Sequence, residues 1–155
     1  MNIIMNRKDE QMMELCKASA EIFRTCSRRA VSAVIVDKRH HIVGMGYNGV
    51  PSKMKHCVDG GCPRASMDVK PGSEYSNCYA VHAEANALLH SDYTSNAEYI
   101  YINCAPCFEC AKLIANSTIG CVYYLDDPNF DSTESISLLH SAGVETCVMG
   151  EINAS

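Results

Sequence analysis

No stretch of this 155-residue chain is apolar for long enough to cross a bilayer as a helix. The opening residues, MNIIMNRKDE, lack the apolar core of a secretion signal. There is no internal repeat and no low-complexity segment. Positive charge is in short supply, with 13 Lys and Arg against 18 Asp and Glu for a net charge of −5. That balance argues against a broad nucleic-acid surface and leaves room only for a local basic pocket. What is plentiful is cysteine, ten residues in all. Without an export signal these thiols are expected to be reduced, in a cytoplasmic setting, and to serve metals rather than disulfides. The length fits one domain, residues 1–155, with a core of its own.

Two short pieces carry the chemistry. The first is His82-Ala83-Glu84, opening HAEANALLH. The second is Pro106-Cys107-Phe108-Glu109-Cys110, opening CFECAKLIANS. Between them AEYIYIN (97–103) alternates as a strand does. In a compact layer each element reverses the one before, so both helix N-termini are expected at the same end. His82 then meets Cys107 and Cys110. The two cysteines are three apart, so on a first helical turn their thiols face one way. A helix start favours the thiolate form, and Pro106 suits that position. One imidazole and two thiolates make a neutral three-ligand zinc site with a fourth position open to water. Glu84 is badly spaced for a second ligand on the same face. It suits a carboxylate beside the metal-bound water, which ionises near neutral pH, where it would carry a proton to the leaving group. The bland alternatives are a structural zinc knuckle or a redox pair, and neither needs the upstream His-x-Glu.

The rest of the chain reads in order. Lys8 to Thr25 is predicted as a helix with Met12, Leu15, Cys16, Ser19, Ile22 and Phe23 facing inward. AVSAVIVD and HIVGMGYN read as a hairpin, with His40 and His41 solvated at its turn. A long loop runs from Asn48 to Tyr79, and a loop of that length in a small domain is usually functional or pinned. After the two helices and the strand between them, GCVYYLDD is a fourth strand. Thr133 to Ser141 is a helix stopped at Gly143, and VETCVMG is a last strand. Cys104, Cys121 and Cys147 read as buried apolar residues at strand positions. The prediction is a three-layer α/β/α sandwich on a five-stranded mixed sheet with the last two strands parallel.

His-x-Glu followed by Pro-Cys-x-x-Cys is the signature of zinc-dependent nucleobase deaminases. With CSRRAVSAVIV, GYNGVP, AVHAEANAL, PCFECAKLI and the VYY strand added, the chain resembles the cytidine deaminase superfamily, and within it the deoxycytidylate (dCMP) deaminases. The resemblance runs from about Ala18 to Val148. It implies hydrolytic deamination of dCMP to dUMP and ammonia, supplying dUMP for thymidylate synthesis. His82, Cys107 and Cys110 match the zinc ligands and Glu84 the proton shuttle. The Ala83 N–H matches the group that receives the pyrimidine O2, and Asn48 the asparagine that reads the sugar hydroxyl. The resemblance also implies a hexamer activated by dCTP and inhibited by dTTP, with Mg²⁺ on the triphosphate. Cytidine or deoxycytidine deamination and tRNA adenosine deamination are the neighbouring activities. A zinc-binding module without turnover is the rival from another class, and Glu84 weighs against it.

Other residues have two readings each. Ser27 and Arg28 are phosphate contacts or a solvated loop. Asn48 also reads as a turn residue after a strand. Asn86 faces the ligand or the surface. Tyr124, one of two neighbouring tyrosines on opposite faces of a strand, caps the sugar-phosphate or packs. Cys26, Cys57, Cys62 and Cys78 lie outside the catalytic set and the core strands. A second, structural zinc on these four would tie the long loop to its flanks. Cys26 and Cys57 match positions that serve such a zinc in some relatives. Cys62 and Cys78 are inferred from this sequence alone, with His56 as a substitute ligand.

Overall fold

The computed structural model describes residues 4–68, 70, 73, 78–92 and 96–152. Its first helix, α1 (Arg7–Ile22), leads into a hairpin of β1 (Ser32–Asp37) and β2 (Ile42–Tyr47). After the long loop come α2 (Ala83–Leu89), β3 (Ala97–Ile102), α3 (Phe108–Ala115), β4 (Cys121–Asp126), α4 (Thr133–Ser141) and β5 (Glu145–Glu151). One five-stranded sheet holds them in the order β2-β1-β3-β4-β5. The tight turn at 38–41 makes β1 and β2 antiparallel, and β3 also joins β1 antiparallel. Helical crossovers through α3 and α4 make β3, β4 and β5 parallel. The mixed three-layer sandwich is therefore as the sequence predicts.

Alternation along the strands divides the core in two. Ala33, Ile35, Ile100, Ile102, Val122 and Tyr124 face α2, α3 and α4. Val34, Val36, Tyr101, Cys121 and Tyr123 face the other way, with Met13 and Cys16 of α1. β1 is buried over five successive residues because both of its faces are covered. Local signals set the helix ends. Asn6 and Asp9 form a reciprocal capping box at the start of α1. Gly143 follows α4 with φ +79°, where a left-handed residue lets the Val144 N–H return to Leu139 O at 2.9 Å.

Two expectations are corrected here. The inner stripe of α1 is Asp9, Met13, Cys16, Ser19 and Ala20, while Leu15, Ile22 and Phe23 are exposed, Ile22 at 73%. Polar groups occupy core positions because each finds a partner. Ser19 Oγ lies 2.8 Å from Ser32 Oγ, and the Asp9 carboxylate accepts from Tyr101 O–H at 2.6 Å. The second correction is His40. It is not solvated: its side chain is 13% exposed and its Nε2 lies 3.1 Å from Asp9 Oδ1. His41 does lie in solvent. Cys104 is buried as expected but falls past the end of β3, in the turn toward α3.

The feature of the fold that most affects the site is the approach of α2 to β2. A Cβ built on Gly46 would fall 2.5 Å from Ala83 O and collide with the Ala87 amide as well. Only glycine allows the helix backbone to lie directly on the strand. Between β2 and α2 the described residues hold two short 3₁₀ turns, Cys57–Asp59 and Pro63–Ser66. Residues 69, 71, 72 and 74–77 of the predicted loop lie outside the described residues.

Candidate metal centre and active site

The Ala97–Ile102 strand returns the chain so that α2 and α3 begin at the same edge of the sheet. His82 is the N-cap of α2 and Cys107 the N-cap of α3, with Pro106 buried one residue earlier rather than in the first turn. Cys107 Sγ accepts from the Cys110 N–H at 3.5 Å, which is what a capping side chain does. His82 Nδ1 lies 3.4 Å from Cys107 Sγ and 3.3 Å from Cys110 Sγ. The three donor atoms all lie within 4.8 Å of one another, the only such His/Cys/Asp/Glu group among the described residues. Donors around one tetrahedral zinc sit roughly 3.5 Å apart for sulfur and nitrogen, given bonds of about 2.3 and 2.0–2.1 Å. The side chains present fit that ion in number, type and spacing.

The electrostatics agree with a cation site. Hydrogen bonds from the Cys110 thiol, His82 and the Cys110 N–H hold the Cys107 thiol down to about 4. Cys107 in turn raises His82. Cys110, whose proton is engaged by Cys107 and which stands beside Glu84, is raised. Glu84 is 3% exposed, and burial pushes its carboxyl up from the usual range. Its partners are the Cys110 thiol and its own backbone N–H. That places it against the ligand cluster from the protein side. A cleft of about 710 Å³ opens on the other side, lined by His82, Cys107, Cys110, Leu113 and Phe130.

The remaining sequence candidates divide. The Ala83 N–H is in the first turn of α2, where helix geometry leaves it without an intrahelical acceptor. Asn48 Oδ1 accepts from the Val31 N–H at 2.9 Å and its Nδ2 donates to Arg29 O at 3.1 Å. Asn86 Nδ2 donates to Tyr47 O at 2.9 Å, tying α2 to the end of β2. The Gly49–Val81 bridge adds a second tie, with amide bonds of 3.1 and 2.8 Å. Arg28 uses its guanidinium on Met67 O at 2.5 Å. Ser27 Oγ lies 3.4 Å from Cys57 Sγ, and so belongs to the loop's cysteine cluster. Tyr124 is buried and lines a second groove, with Ser132, Thr133 and His140, on the other side of α4. Cys26, Cys57 and Cys62 do gather in one buried cluster with Val50, and Cys78 packs against it. Their sulfurs do not close to the spacing of the His82 set.

Two residues at this edge escaped the sequence reading. Asn103 Oδ1 accepts from the Ser32 N–H at 2.8 Å and its Nδ2 donates to Ala30 O at 3.0 Å. Arg29 reaches Asp127 at 3.8 Å. The signal for both was position: Asn103 ends a strand that points at the metal ligands, and Arg29 adjoins Arg28.

A family model, the zinc-binding region of cytidine and deoxycytidylate deaminases, matches residues 6–126. The chain belongs to that family. Among the chain's relatives, the deoxycytidylate deaminase of Mycobacterium phage D29 is 40% identical over 122 residues, 75% of this chain and 92% of the relative. The Schizosaccharomyces pombe deoxycytidylate deaminase is 34% identical over 139 residues, 88% of this chain. The chain spans only 42% of the length of that yeast relative. In structure, the dCMP deaminase of cyanophage S-TIM5, crystallised with dCMP and dUMP, superposes with a TM-score of 0.72 at 26% identity. That match covers 94% of this chain and all of the phage chain. No helix among the described residues is long and apolar enough to cross a membrane.

Proposed function

We propose that the chain is a deoxycytidylate deaminase, converting dCMP and water to dUMP and ammonia. The observation that carries this reading is the convergence of His82, Cys107 and Cys110 with a buried carboxylate, Glu84, directly behind them. A zinc ion held by these three ligands supplies an activated water at neutral pH. The protein's own part is positioning and proton movement. Glu84 would hold a proton beside the site, deliver it to N3 of the pyrimidine, and then relay the proton of the newly added hydroxyl to the departing amine. Burial supports the role, because it raises the carboxyl from its usual range and so favours its holding a proton. The Ala83 N–H receives the pyrimidine O2. Asn48, already fixed between β1 and β2, retains one N–H and one lone pair for the sugar hydroxyl.

The wider reading rests on the family resemblance alone. It includes a cytoplasmic homo-oligomer, a hexamer by resemblance, governed by dCTP and dTTP with Mg²⁺. The second zinc is the weaker part. The gathering of Cys26, Cys57, Cys62 and Cys78 supports it, and their spacing opposes it. Two zinc ions per chain, one retained in Cys107→Ala, would establish it, whereas a single zinc lost in that variant would remove it.

The deciding experiment is a deamination assay on dCMP, deoxycytidine and cytidine, each with and without dCTP and dTTP. Turnover of dCMP well above both nucleosides supports the reading. Preference for a nucleoside overturns it in favour of a nucleoside deaminase, and no turnover of any of the three by zinc-loaded protein overturns the enzyme itself.

A further inference from the structure

His82 opens α2, a helix of seven residues, as its N-cap, yet its side chain makes no cap bond to the helix amides. The side chains that cap well are Ser, Thr, Asp and Asn, and an imidazole turned to a metal does not replace them. A helix this short is marginal in water on its own. The turn that carries His82, the Ala83 N–H and Glu84 must therefore be fixed from outside.

Packing fixes only part of it. At Gly46 α2 lies close on β2, with no side chain there to interlock with the helix. Such a contact sets a separation and not a register. Directional bonds are needed to stop α2 sliding along the strand, and Asn86 makes them. Its side-chain Nδ2 donates to Tyr47 O at 2.9 Å and reaches Val81 O at 3.5 Å. Its main-chain N–H donates to His82 O at 3.0 Å. The Tyr47 carbonyl belongs to the peptide that leads into Asn48, and the Val81 carbonyl to the one that leads into His82. One carboxamide thus joins the approach to the metal ligand with the approach to the asparagine assigned to the sugar. The Gly49–Val81 bridge closes the same ring from the other side of Asn48. Asn86 does this from outside the cleft, whose lining takes Ala85 from α2 and not Asn86.

We propose that Asn86 is a positioning residue, which holds the metal ligand His82 and the sugar-reading Asn48 in one fixed relation without touching the substrate. Binding at the sugar then places the base correctly against Glu84. This inference rests on the dCMP deaminase reading, which supplies the role of Asn48.

The test compares zinc-saturated wild type, Asn86→Ala and Asn86→Gln. Alanine removes both side-chain bonds and favours the helix, whereas glutamine restores a donor on a longer arm. Steady-state kcat and KM are measured on dCMP and on an analogue lacking the sugar hydroxyl. The zinc affinity of the His82 site is measured by chelator competition, with Cys107→Ala as the blank. Misplaced reacting groups predict that Asn86→Ala loses about 10- to 100-fold in kcat on dCMP, with KM within about 3-fold. The preference for dCMP over the analogue should fall about 10-fold, because the sugar no longer aligns the base. Zinc binding should weaken about 10-fold, and Asn86→Gln should recover part of each loss. A loss confined to KM on both substrates would make Asn86 a substrate contact and overturn the proposal. So would kcat, preference and zinc affinity all staying within about 3-fold of wild type, whatever the melting temperature does. A wild type that turns over deoxycytidine but not dCMP would show that the dCMP reading had failed. The zinc affinity of Asn86→Ala needs no substrate and would still decide whether Asn86 holds His82 in place.

Discussion

Asp9 and Glu84 are the two buried carboxylates among the described residues, at 1% and 3% exposure, and their surroundings differ. Asp9 accepts from the Asn6 N–H at 2.9 Å and from Tyr101 O–H at 2.6 Å, and it faces His40 Nε2 at 3.1 Å. It sits between α1 and the sheet, against the far end of the β1–β2 hairpin. Glu84 sits at the edge where two helices begin, and among the described residues the groups that engage it are the Cys110 thiol and its own amide. Equal burial thus produces two kinds of group. A carboxylate whose lone pairs are taken by fixed donors is a structural joint, costly to remove. A carboxylate that is buried but short of donors keeps capacity for chemistry. The comparison shows that burial alone does not mark a functional acid, whereas burial with few donors beside a ligand cluster does.

The comparison can be broken from either side. Cys107→Ala has the largest expected effect. It should lose the zinc of the His82, Cys107 and Cys110 site, one equivalent per chain by metal analysis, and bring dCMP turnover to background while circular dichroism stays native. Glu84→Gln comes next, with zinc retained and turnover down about 10²- to 10⁴-fold. Its melting temperature should hardly move. A melt lowered as far as in an Asp9 variant would show that Glu84 too is a structural joint. Asp9→Ala reverses the pattern, costing about 3 kcal/mol because three partners lose their acceptor. For a chain of this size that is roughly 6–12 °C in Tm, with kcat kept within about 2-fold after zinc loading. A large fall in kcat with an unchanged Tm would mean that the two ends of the sheet are coupled. The smallest effect belongs to Tyr101→Phe, about 1 kcal/mol by urea unfolding, since Asp9 keeps its other donors. No loss there would assign the joint to His40 and the helix cap instead.

The same contrast explains what could be read from the sequence. The metal centre was legible because its parts are local: His-x-Glu and Pro-Cys-x-x-Cys each open a helix, and one strand between them fixes where those helices begin. The sheet order followed for the same reason, from crossovers that leave parallel strands. The inner face of α1 was not legible. Hydropathy selected Leu15, Ile22 and Phe23; the true stripe keeps Cys16 and Ser19 from that reading but also holds Asp9, whose partners lie on β3 and the hairpin turn. A polar residue that is satisfied only across the fold carries no local mark. His40 was misplaced for that reason, since its partner is 31 residues away.

The missing side chain at Gly46 bears on how this cleft could adapt. Where α2 meets β2, backbone rests on backbone with nothing compressible between them. A hard stop of that kind cannot be tuned in small steps, because the first carbon added already collides with main chain. The opposite wall is built from Leu113 of α3, with Phe130 ahead of α4, and can be trimmed or enlarged one methyl group at a time. A search for variants that admit a bulkier base should therefore leave the β2–α2 seam alone and diversify that wall. Natural drift in substrate size is expected to have left its traces in the same place.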